Sequence, residues 1–249
     1  MIIDAIFTRM VRNQIPNLLT LLNLLMGCMA LYFIFTQQFN MVLWLLLIAG
    51  VADLLDGMVA RWLKVDGGLG KQLDSLADVV SFGVVPGAIL FQLIRYSYDA
   101  QHTLNMGGAG LIMAFGGFIF TLGAAFRLAR FNIDTRQTTD FIGLATPFAT
   151  VAVIGLMVIH MQGFGAWYEA LTNPYYLLAI AIALCALMNA PIRMFSLKSL
   201  GTGWANNKMP ILFAVLCIPA ILIFKGPALL LIPLIYVILS LFIFKNSIG

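Results

Sequence analysis

Long apolar runs separated by short polar stretches dominate the pattern along this chain. Eight of them reach or approach the roughly 20 residues that a helix needs to cross the hydrocarbon of a bilayer. They lie near residues 18–36, 40–62, 72–94, 108–130, 142–162, 173–192, 209–224 and 227–244. The seventh run is the weakest by length, and a tight-turn signal, Lys225-Gly226-Pro227, separates it from the eighth. The pattern predicts an all-α integral membrane protein with about eight transmembrane helices.

The N-terminal segment has a different pattern. In residues 1–14 apolar side chains recur at helical spacing between polar ones, which is typical of an amphipathic helix lying on the membrane surface. The apolar run after Pro16 lacks a small-residue cleavage site. We therefore interpret that run as the first membrane span and not as a removed signal peptide.

Composition and charge exclude a water-soluble domain. The 249 residues are 62% hydrophobic and 10% charged, whereas soluble domains carry about 25% charged residues. The net charge of +4 comes from basic residues scattered between apolar runs, so it does not indicate a nucleic-acid partner. With the N-terminus placed in the cytoplasm, twelve basic residues fall inside and only Arg95 and Lys225 outside. This bias predicts cytoplasmic termini and an even number of spans.

Acidic residues concentrate where the second predicted span ends and the third begins. Four of the ten in the chain lie there: Asp53, Asp56, Asp74 and Asp78. Residues three or four apart share a helix face, and the short connection makes the two helices antiparallel neighbours whose acidic faces can converge. Ionisable groups at membrane depth are costly and indicate function. Clustered carboxylates suit hard divalent cations such as Mg²⁺ or Mn²⁺.

An alternative explanation needs no metal. The acids could form a helix end that nearby basic residues neutralise, namely Arg61, Lys64 and Lys71. Small residues near the acids, Gly57, Ala60 and Gly70, permit close approach of a ligand, or they serve helix packing alone.

The spacing of these residues resembles a known signature. The stretch Asp53-x-x-Asp56-Gly57-x-x-Ala60-Arg61, followed by eight residues and Gly70-x-x-x-Asp74-x-x-x-Asp78, resembles that of the CDP-alcohol phosphatidyltransferase family. The resemblance covers roughly residues 15–200 and implies a six-helix membrane core there. Residues 1–14 then form an interfacial helix, and residues 201–249 add a C-terminal transmembrane hairpin.

The resemblance implies a reaction and roles for the motif residues. A CDP-linked lipid binds at the cytoplasmic surface, an alcohol hydroxyl attacks the phosphorus next to the diacylglycerol, and CMP leaves. The four aspartates resemble the family's ligands for Mg²⁺ or Mn²⁺, with two ions expected, and Asp78 also matches the catalytic position that accepts the hydroxyl proton. The positions expected to bind the CDP-lipid are Asp56, Gly57, Ala60, Arg61 and Gly70.

The alcohol acceptor is inferred from flanking sequence. The stretches 15–23 (IPNLLTLLN), 75–86 (SLADVVSFGVVP) and 127–132 (RLARFN) resemble those of bacterial phosphatidylserine synthases, which implies L-serine as acceptor and CDP-diacylglycerol as donor. A serine carboxylate favours arginine as its partner. The expected serine or phosphate ligands are Arg127, Arg130, Asn132, Arg193 and Lys198, although the basic ones could instead be topology anchors.

Several other expectations and alternatives stay open. Glycerol 3-phosphate, inositol phosphate and choline remain alternative acceptors, and a membrane transporter is an alternative of a different class. The acids lie at one face, whereas transporter sites usually lie near the bilayer midplane. Pro147 predicts a kink in the fifth span. The resemblance further implies a multi-pass protein of the bacterial inner membrane, surrounded by membrane lipids, with a cytoplasmic active site and a possible homodimer.

Overall fold

The computed structural model describes residues 2–65, 68–101, 108–133, 141–163, 165–171, 173–194, 204–224 and 226–245. Nearly all of these residues are helical. The chain divides into two compact units, Met1–Ala88 and Ile89–Gly249, and each unit is described by itself below.

The first unit consists of three packed helices and the beginning of a fourth. Helix α1 covers Ile2–Phe35, α2 covers Phe39–Leu63 and α3 covers Gly68–Val79; the π-helical turn Val80–Val84 leads into α4, Val85–Gln101. Helix α1 packs along both α2 and α3. Lys64 closes α2 in the left-handed conformation, with φ of 52°. Helix α3 begins at Gly68, so the connection after α2 is short. Helix α1 thus packs against both helices that carry the acidic motif.

Helix α1 is longer than the sequence predicts. The surface helix expected over 1–14 and the span expected over 18–36 form one continuous helix that includes Pro16. Proline lacks the N–H for a backbone bond and normally kinks or breaks a helix. One turn later, the Thr20 hydroxyl oxygen lies 3.1 Å from the Pro16 carbonyl oxygen. The placement of residues 1–14 on the membrane surface stays a prediction.

The π-helical turn packs tightly against α1. The Ser81 hydroxyl donates a hydrogen bond to the Asn23 carbonyl at 3.0 Å. A Cβ atom on Gly27 would lie 2.5 Å from the Ser81 Oγ atom and 3.1 Å from its Cα atom. Only glycine allows this close approach, so Gly27 fixes where the turn after α3 meets α1.

The second unit contains the rest of α4 and every later element. In chain order these are α5 (Gly108–Phe115), a 3₁₀ turn (Gly116–Phe118), α6 (Ile119–Ile133), β1 (Phe141–Ile142), α7 (Thr146–Gln162), α8 (Gly165–Leu171), α9 (Pro174–Asn189), β2 (Arg193–Met194), α10 (Trp204–Phe224) and α11 (Ala228–Lys245). The two short strands pair antiparallel, with Phe141 opposite Met194 and Ile142 opposite Arg193. This pair joins the segment before α7 to the segment after α9.

The predicted kink at Pro147 is wrong. Pro147 lies in the first turn of α7, after Ala145 as the N-cap residue. A proline is tolerated there because the first N–H groups of a helix have no intrahelical acceptor. The predicted span over 142–162 therefore becomes a strand residue, a short turn and a helix that begins at Thr146.

Helix α11 packs closely on α7, and the two helices carry an aromatic cluster with α10. A Cβ atom on Gly155 of α7 would lie 2.6 Å from the backbone nitrogen of Leu230 in α11. The aromatic cluster consists of Phe148, Phe213 and Tyr236, and the Phe148 and Tyr236 rings stack at 4.7 Å between centroids. The C-terminal helices are thus integral parts of the second unit.

The fold class of an all-α membrane protein is confirmed, but the number of spans is not. Among the residues that the structure describes, four helical segments are long and apolar enough to cross a membrane: Gln14–Phe35, Phe39–Leu63, Gly68–Asp99 and Gly110–Ile133. Helices α7 and α8 make a fifth only if counted together across a 118° bend. The other apolar helices are shorter: Pro174–Asn189, Val215–Phe224 and Ala228–Phe242. Eight spans, and the boundaries near residues 14 and 200, remain predictions.

Replacing Gly155 with alanine should separate α7 from α11. The added methyl group meets backbone atoms that cannot rotate away, and such overpacking costs roughly 1–3 kcal/mol. The apparent melting temperature of the purified protein in detergent should fall by several degrees. Gly50→Ala is the matched control, because a Cβ atom on Gly50 has nothing within 4 Å. Equal melting temperatures for the two variants would contradict this packing.

Candidate functional site

Three carboxylates from two helices meet in the first unit and form a carboxylate cluster. Helix α2 contributes Asp53 and Asp56, and α3 contributes Asp74; one oxygen atom from each lies within 4.8 Å of the other two. Asp56 is buried with 6% of its surface exposed, and the other two are half-buried. Three negative charges this close repel one another strongly where water is scarce. Oxygen donors of this kind fit a divalent cation, so these residues could hold a metal ion.

Two polar side chains of α1 bind carboxylates of the motif. The Thr20 hydroxyl donates to Asp56 Oδ2 at 2.5 Å, and the Asn23 amide donates to Asp78 Oδ1 at 3.3 Å. Asp78 is outside the group of three, although it interacts electrostatically with all of its members. Thr20 and Asn23 are themselves buried, at 3% and 0% exposure. Each fixes one carboxylate with a neutral donor and adds no charge.

A cleft of about 410 Å³ opens beside the carboxylate cluster. Its walls come from α1, α2 and α3: Gln14, Pro16, Asn17, Thr20, Asp56, Gly57, Ala60, Val65, Leu69, Gly70, Lys71 and Asp74. A Cβ atom on Gly70 would lie 3.3 Å from the Asn17 side-chain oxygen, so a larger residue there would narrow the cleft. Five of the residues predicted to bind the CDP-lipid or metal therefore line one cleft.

Arg61 lies next to the cleft without lining it. Its side chain is exposed, and its Nη1 atom lies 3.5 Å from the position that a Cβ atom on Gly57 would take. The guanidinium group thus reaches back one helical turn over Gly57. A cation in this position can contact an anionic group that enters the cleft.

The sequence reasoning missed the contribution of α1. Asn17, Thr20 and Asn23 follow one another at intervals of three within an apolar span, and such residues share a helix face. Their spacing was the available signal, but no motif pairs them with the aspartates. Lys71 also lies in the cleft wall, whereas the sequence pattern suggests it only as a charge partner for the acids.

In the second unit, Arg127 and Arg130 of α6 come together at a small gap. Arg127 is 9% exposed, and its Nη1 atom donates to the Thr146 hydroxyl of α7 at 3.1 Å, whereas Arg130 is exposed. The gap measures about 10 Å³ and is lined by Arg127, Arg130, Phe131, Ile142, Met188, Asn189 and Ala190. Such a gap has room for about one water molecule.

The other expected acceptor ligands are more dispersed. Asn132 is half-buried near the end of α6, and Arg193 is exposed on β2 opposite Ile142. Neither of them lines the gap beside Arg127. Lys198 lies outside the described residues.

Comparisons with known proteins identify the family of this chain. The family model for CDP-alcohol phosphatidyltransferase matches residues 13–187. The chain is similar to a CDP-diacylglycerol–serine O-phosphatidyltransferase of Helicobacter pylori, at 31% identity over 74% of this chain and 72% of that protein. An enzyme of the same name from Mycobacterium tuberculosis is 28% identical over 87% of this chain and 72% of its own length. An archaetidylserine synthase of Methanothermobacter thermautotrophicus is 30% identical, with 71% and 69% covered.

Manganese should stabilise the protein through the carboxylate cluster. A ligand that binds only the folded state adds about 2.7 kcal/mol at one hundred times its dissociation constant, so millimolar Mn²⁺ should raise the melting temperature by several degrees. Asp74→Asn should abolish most of this rise. Asp99→Asn, an exposed aspartate of α4, should preserve it; an equal loss in both variants would contradict a specific site.

Thr20→Val should weaken the same metal site. Valine keeps the shape of threonine but leaves the buried Asp56 carboxylate without the hydroxyl donor, a loss of about 1–3 kcal/mol. The Mn²⁺ concentration needed for half-maximal stabilisation should therefore rise by roughly tenfold or more. Thr36→Val is the control, since the Thr36 hydroxyl is exposed and its hydrogen-bond partners are backbone carbonyls of α1 and the Gln38 side chain, none of them in the carboxylate cluster. Unchanged Mn²⁺ titrations in Thr20→Val would contradict the role of this hydrogen bond.

Proposed function

Because the chain belongs to the CDP-alcohol phosphatidyltransferase family, we propose that it transfers the phosphatidyl group of CDP-diacylglycerol to L-serine. The products are phosphatidylserine and CMP. The carboxylate cluster beside the 410 Å³ cleft carries this proposal. The carboxylates can bind the metal ions that a pyrophosphate group requires. The small residues in the cleft wall leave room for that pyrophosphate group.

Serine is the acceptor that the comparisons favour. Two of the relatives described above are named as serine-transferring enzymes, and the third is an archaetidylserine synthase. The names of all three relatives involve serine, at 28–31% identity, which supports serine as the acceptor of this chain. Glycerol 3-phosphate and inositol phosphate are therefore compared with serine in the experiment below.

The CDP head group is proposed to bind in the cleft of the first unit. Gly57, Ala60 and Gly70 offer small surfaces in its wall, so that the nucleotide and phosphates can approach the helix backbones. Asp56 is shared between the cleft and the carboxylate cluster. Arg61 is proposed to contact a phosphate oxygen from the rim of the cleft. The diacylglycerol chains then remain in the membrane.

Divalent metal ions are proposed to bind Asp53, Asp56, Asp74 and Asp78. The donor set fits Mg²⁺ or Mn²⁺, and four carboxylates offer enough oxygen atoms for two ions. When bound, the ions would neutralise the charge that develops on the transferring phosphoryl group. Thr20 and Asn23 hold two of these carboxylates in place.

Asp78 is proposed to accept the proton of the attacking hydroxyl. The serine oxygen forms a bond to the phosphorus attached to diacylglycerol, the bond from that phosphorus to the CMP oxygen breaks, and the serine proton passes to the Asp78 carboxylate. Asn23 donates to Oδ1 of Asp78, which leaves Oδ2 to take the proton. The carboxylate is thereby oriented for general-base chemistry.

The acceptor's own charges are proposed to be recognised by basic residues of the second unit. Arg127 is one candidate, because Thr146 holds its guanidinium group and a planar fork can bind a carboxylate through two hydrogen bonds. Arg130, Asn132, Arg193 and Lys198 are proposed as further ligands of serine or of lipid phosphate.

The protein is proposed to reside in a bacterial inner membrane. Its long apolar helices make it a multi-pass membrane protein, and the excess of basic residues on one side supports cytoplasmic termini and a cytoplasmic active site. Homodimer formation stays a prediction from the family resemblance.

Purified protein supplied with CDP-diacylglycerol and Mn²⁺ or Mg²⁺ should release CMP when serine is added. Asp78→Asn should lower the turnover by at least about a hundredfold, the lower range for loss of a general base, while CDP-diacylglycerol binding is retained. Parallel reactions with glycerol 3-phosphate, inositol phosphate, choline or no acceptor serve as controls.

The outcomes of this assay test the acceptor, the enzymatic reaction and the role of Asp78 separately. Release with a different alcohol would keep the family chemistry and overturn the choice of serine. No metal-dependent release with any acceptor would contradict the enzymatic proposal. Normal turnover in Asp78→Asn would contradict its role as the base.

A further inference from the structure

Lys71 is the one cation among the described residues that line the 410 Å³ cleft. The other ionisable side chains in that wall are Asp56 and Asp74, which belong to the carboxylate cluster. Lys71 is exposed, and its backbone carbonyl accepts a hydrogen bond from the Ser75 hydroxyl at 3.1 Å within α3. The side chain of Lys71 is therefore within reach of a ligand that enters the cleft.

The local energetics of α3 do not favour a lysine at this position. The helix begins at Gly68, so Lys71 lies in its first turn, where the helix dipole favours acidic side chains over basic ones. A pair with Asp74 at i, i+3 would place the lysine N-terminal to the acid, which is the less favourable order on a helix. A negatively charged ligand in the cleft would supply the stabilisation that the helix does not.

Three ionisable residues follow one another along one face of α3. Lys71, Asp74 and Asp78 are spaced by three and four residues, which places them on one side of a helix. Asp78 lies about 10 Å farther along the helix axis than Lys71. Lys71 and Asp74 line the cleft, whereas Asp78 does not. The face thus runs from a cation in the cleft, past a carboxylate of the cluster, to the proposed base.

This order matches the two sides of the proposed reaction. In phosphoryl transfer the attacking and leaving oxygens lie roughly in line, on opposite sides of the phosphorus. With the attacking hydroxyl at Asp78, the leaving CMP lies towards Lys71. When the bond from the lipid phosphorus to the bridging oxygen breaks, its electron pair stays on the CMP phosphate, which gains one negative charge. A cation beside that phosphate is attracted more strongly in the transition state than in the ground state, so it lowers the barrier.

We propose that Lys71 binds the CMP phosphate of the donor and stabilises the charge that this phosphate gains as CMP leaves. The inference rests on the proposed function and deepens it, because it assigns a catalytic residue to the leaving-group side of the site. A lysine binds phosphate as a point charge. Arginine at this position therefore retains much of the effect, whereas a neutral side chain of similar length does not.

Lys71→Met tests this role in the full chain in detergent, supplied with CDP-diacylglycerol, serine and Mn²⁺. The kcat should fall roughly tenfold, equivalent to about 1.4 kcal/mol. The inhibition constant of CMP, measured in competition with CDP-diacylglycerol, should rise by a similar factor, while the KM for serine changes less than about twofold. Lys71→Arg should retain most of the kcat and of the CMP affinity. Both variants should keep the wild-type melting temperature without ligands, because the Lys71 side chain is exposed.

Lys64→Met is the matched control for the loss of one positive charge. Lys64 is an exposed lysine at the end of α2, and it does not line the cleft. The variant should keep the kcat and the inhibition constant of CMP within about twofold of the wild-type values. Equal losses in Lys64→Met and Lys71→Met would show a general effect of net charge and would overturn the proposal.

A role of Lys71 as a charge partner of the carboxylate cluster predicts a different result. Lys71→Met would then lower the Mn²⁺ concentration needed for half-maximal stabilisation and leave the inhibition constant of CMP unchanged. That outcome would overturn the proposal.

The proposed function and the role of Lys71 fail in different ways. If the wild-type protein releases no CMP with any acceptor, the proposed function is overturned first. If the wild-type protein releases CMP and Lys71→Met keeps both the kcat and the inhibition constant of CMP, only the role of Lys71 is overturned.

Discussion

Repulsion among the clustered carboxylates is the constraint on which the first unit depends. Three acidic oxygens within 4.8 Å of one another repel one another and favour separation of α2 from α3. Helix α1 opposes that separation by packing on both helices and by donating hydrogen bonds to Asp56 and Asp78. The unit is therefore arranged around a space for positive charge.

Much of this unit is predictable because its chemistry is local. Asp53 and Asp56, like Asp74 and Asp78, share a helix face by spacing alone, and a short connection brings the two faces together. The contribution of Thr20 and Asn23 depends on how α1 is rotated against its neighbours, which no spacing within α2 or α3 determines. The continuous passage of α1 through Pro16 also runs against the usual effect of proline.

The contacts of the second unit are harder to predict from the sequence because they join segments that are far apart along the chain. Arg127 meets Thr146 across 19 residues, and Tyr236 stacks on Phe148 from the last helix of the chain. Apolar residues dominate α11, so its hydrophobic pattern does not single out one tyrosine. Pro147 illustrates the same limit: the sequence signals a break, but only the strand pairing before α7 shows that the break is a helix start.

The π-helical turn after Val79 has a consequence for how this chain can vary. A π turn holds one more residue than an α turn, so every side chain beyond Val84 is rotated by about 100° from the direction that an uninterrupted helix would give it. The face that presents Asp74 and Asp78 is thereby out of phase with the residues that follow. Residues that pack the later part of this helix therefore lie on a different face from the one that the spacing of Asp74 and Asp78 would extend, so a repeat of the acidic spacing beyond Val84 would not continue the carboxylate face.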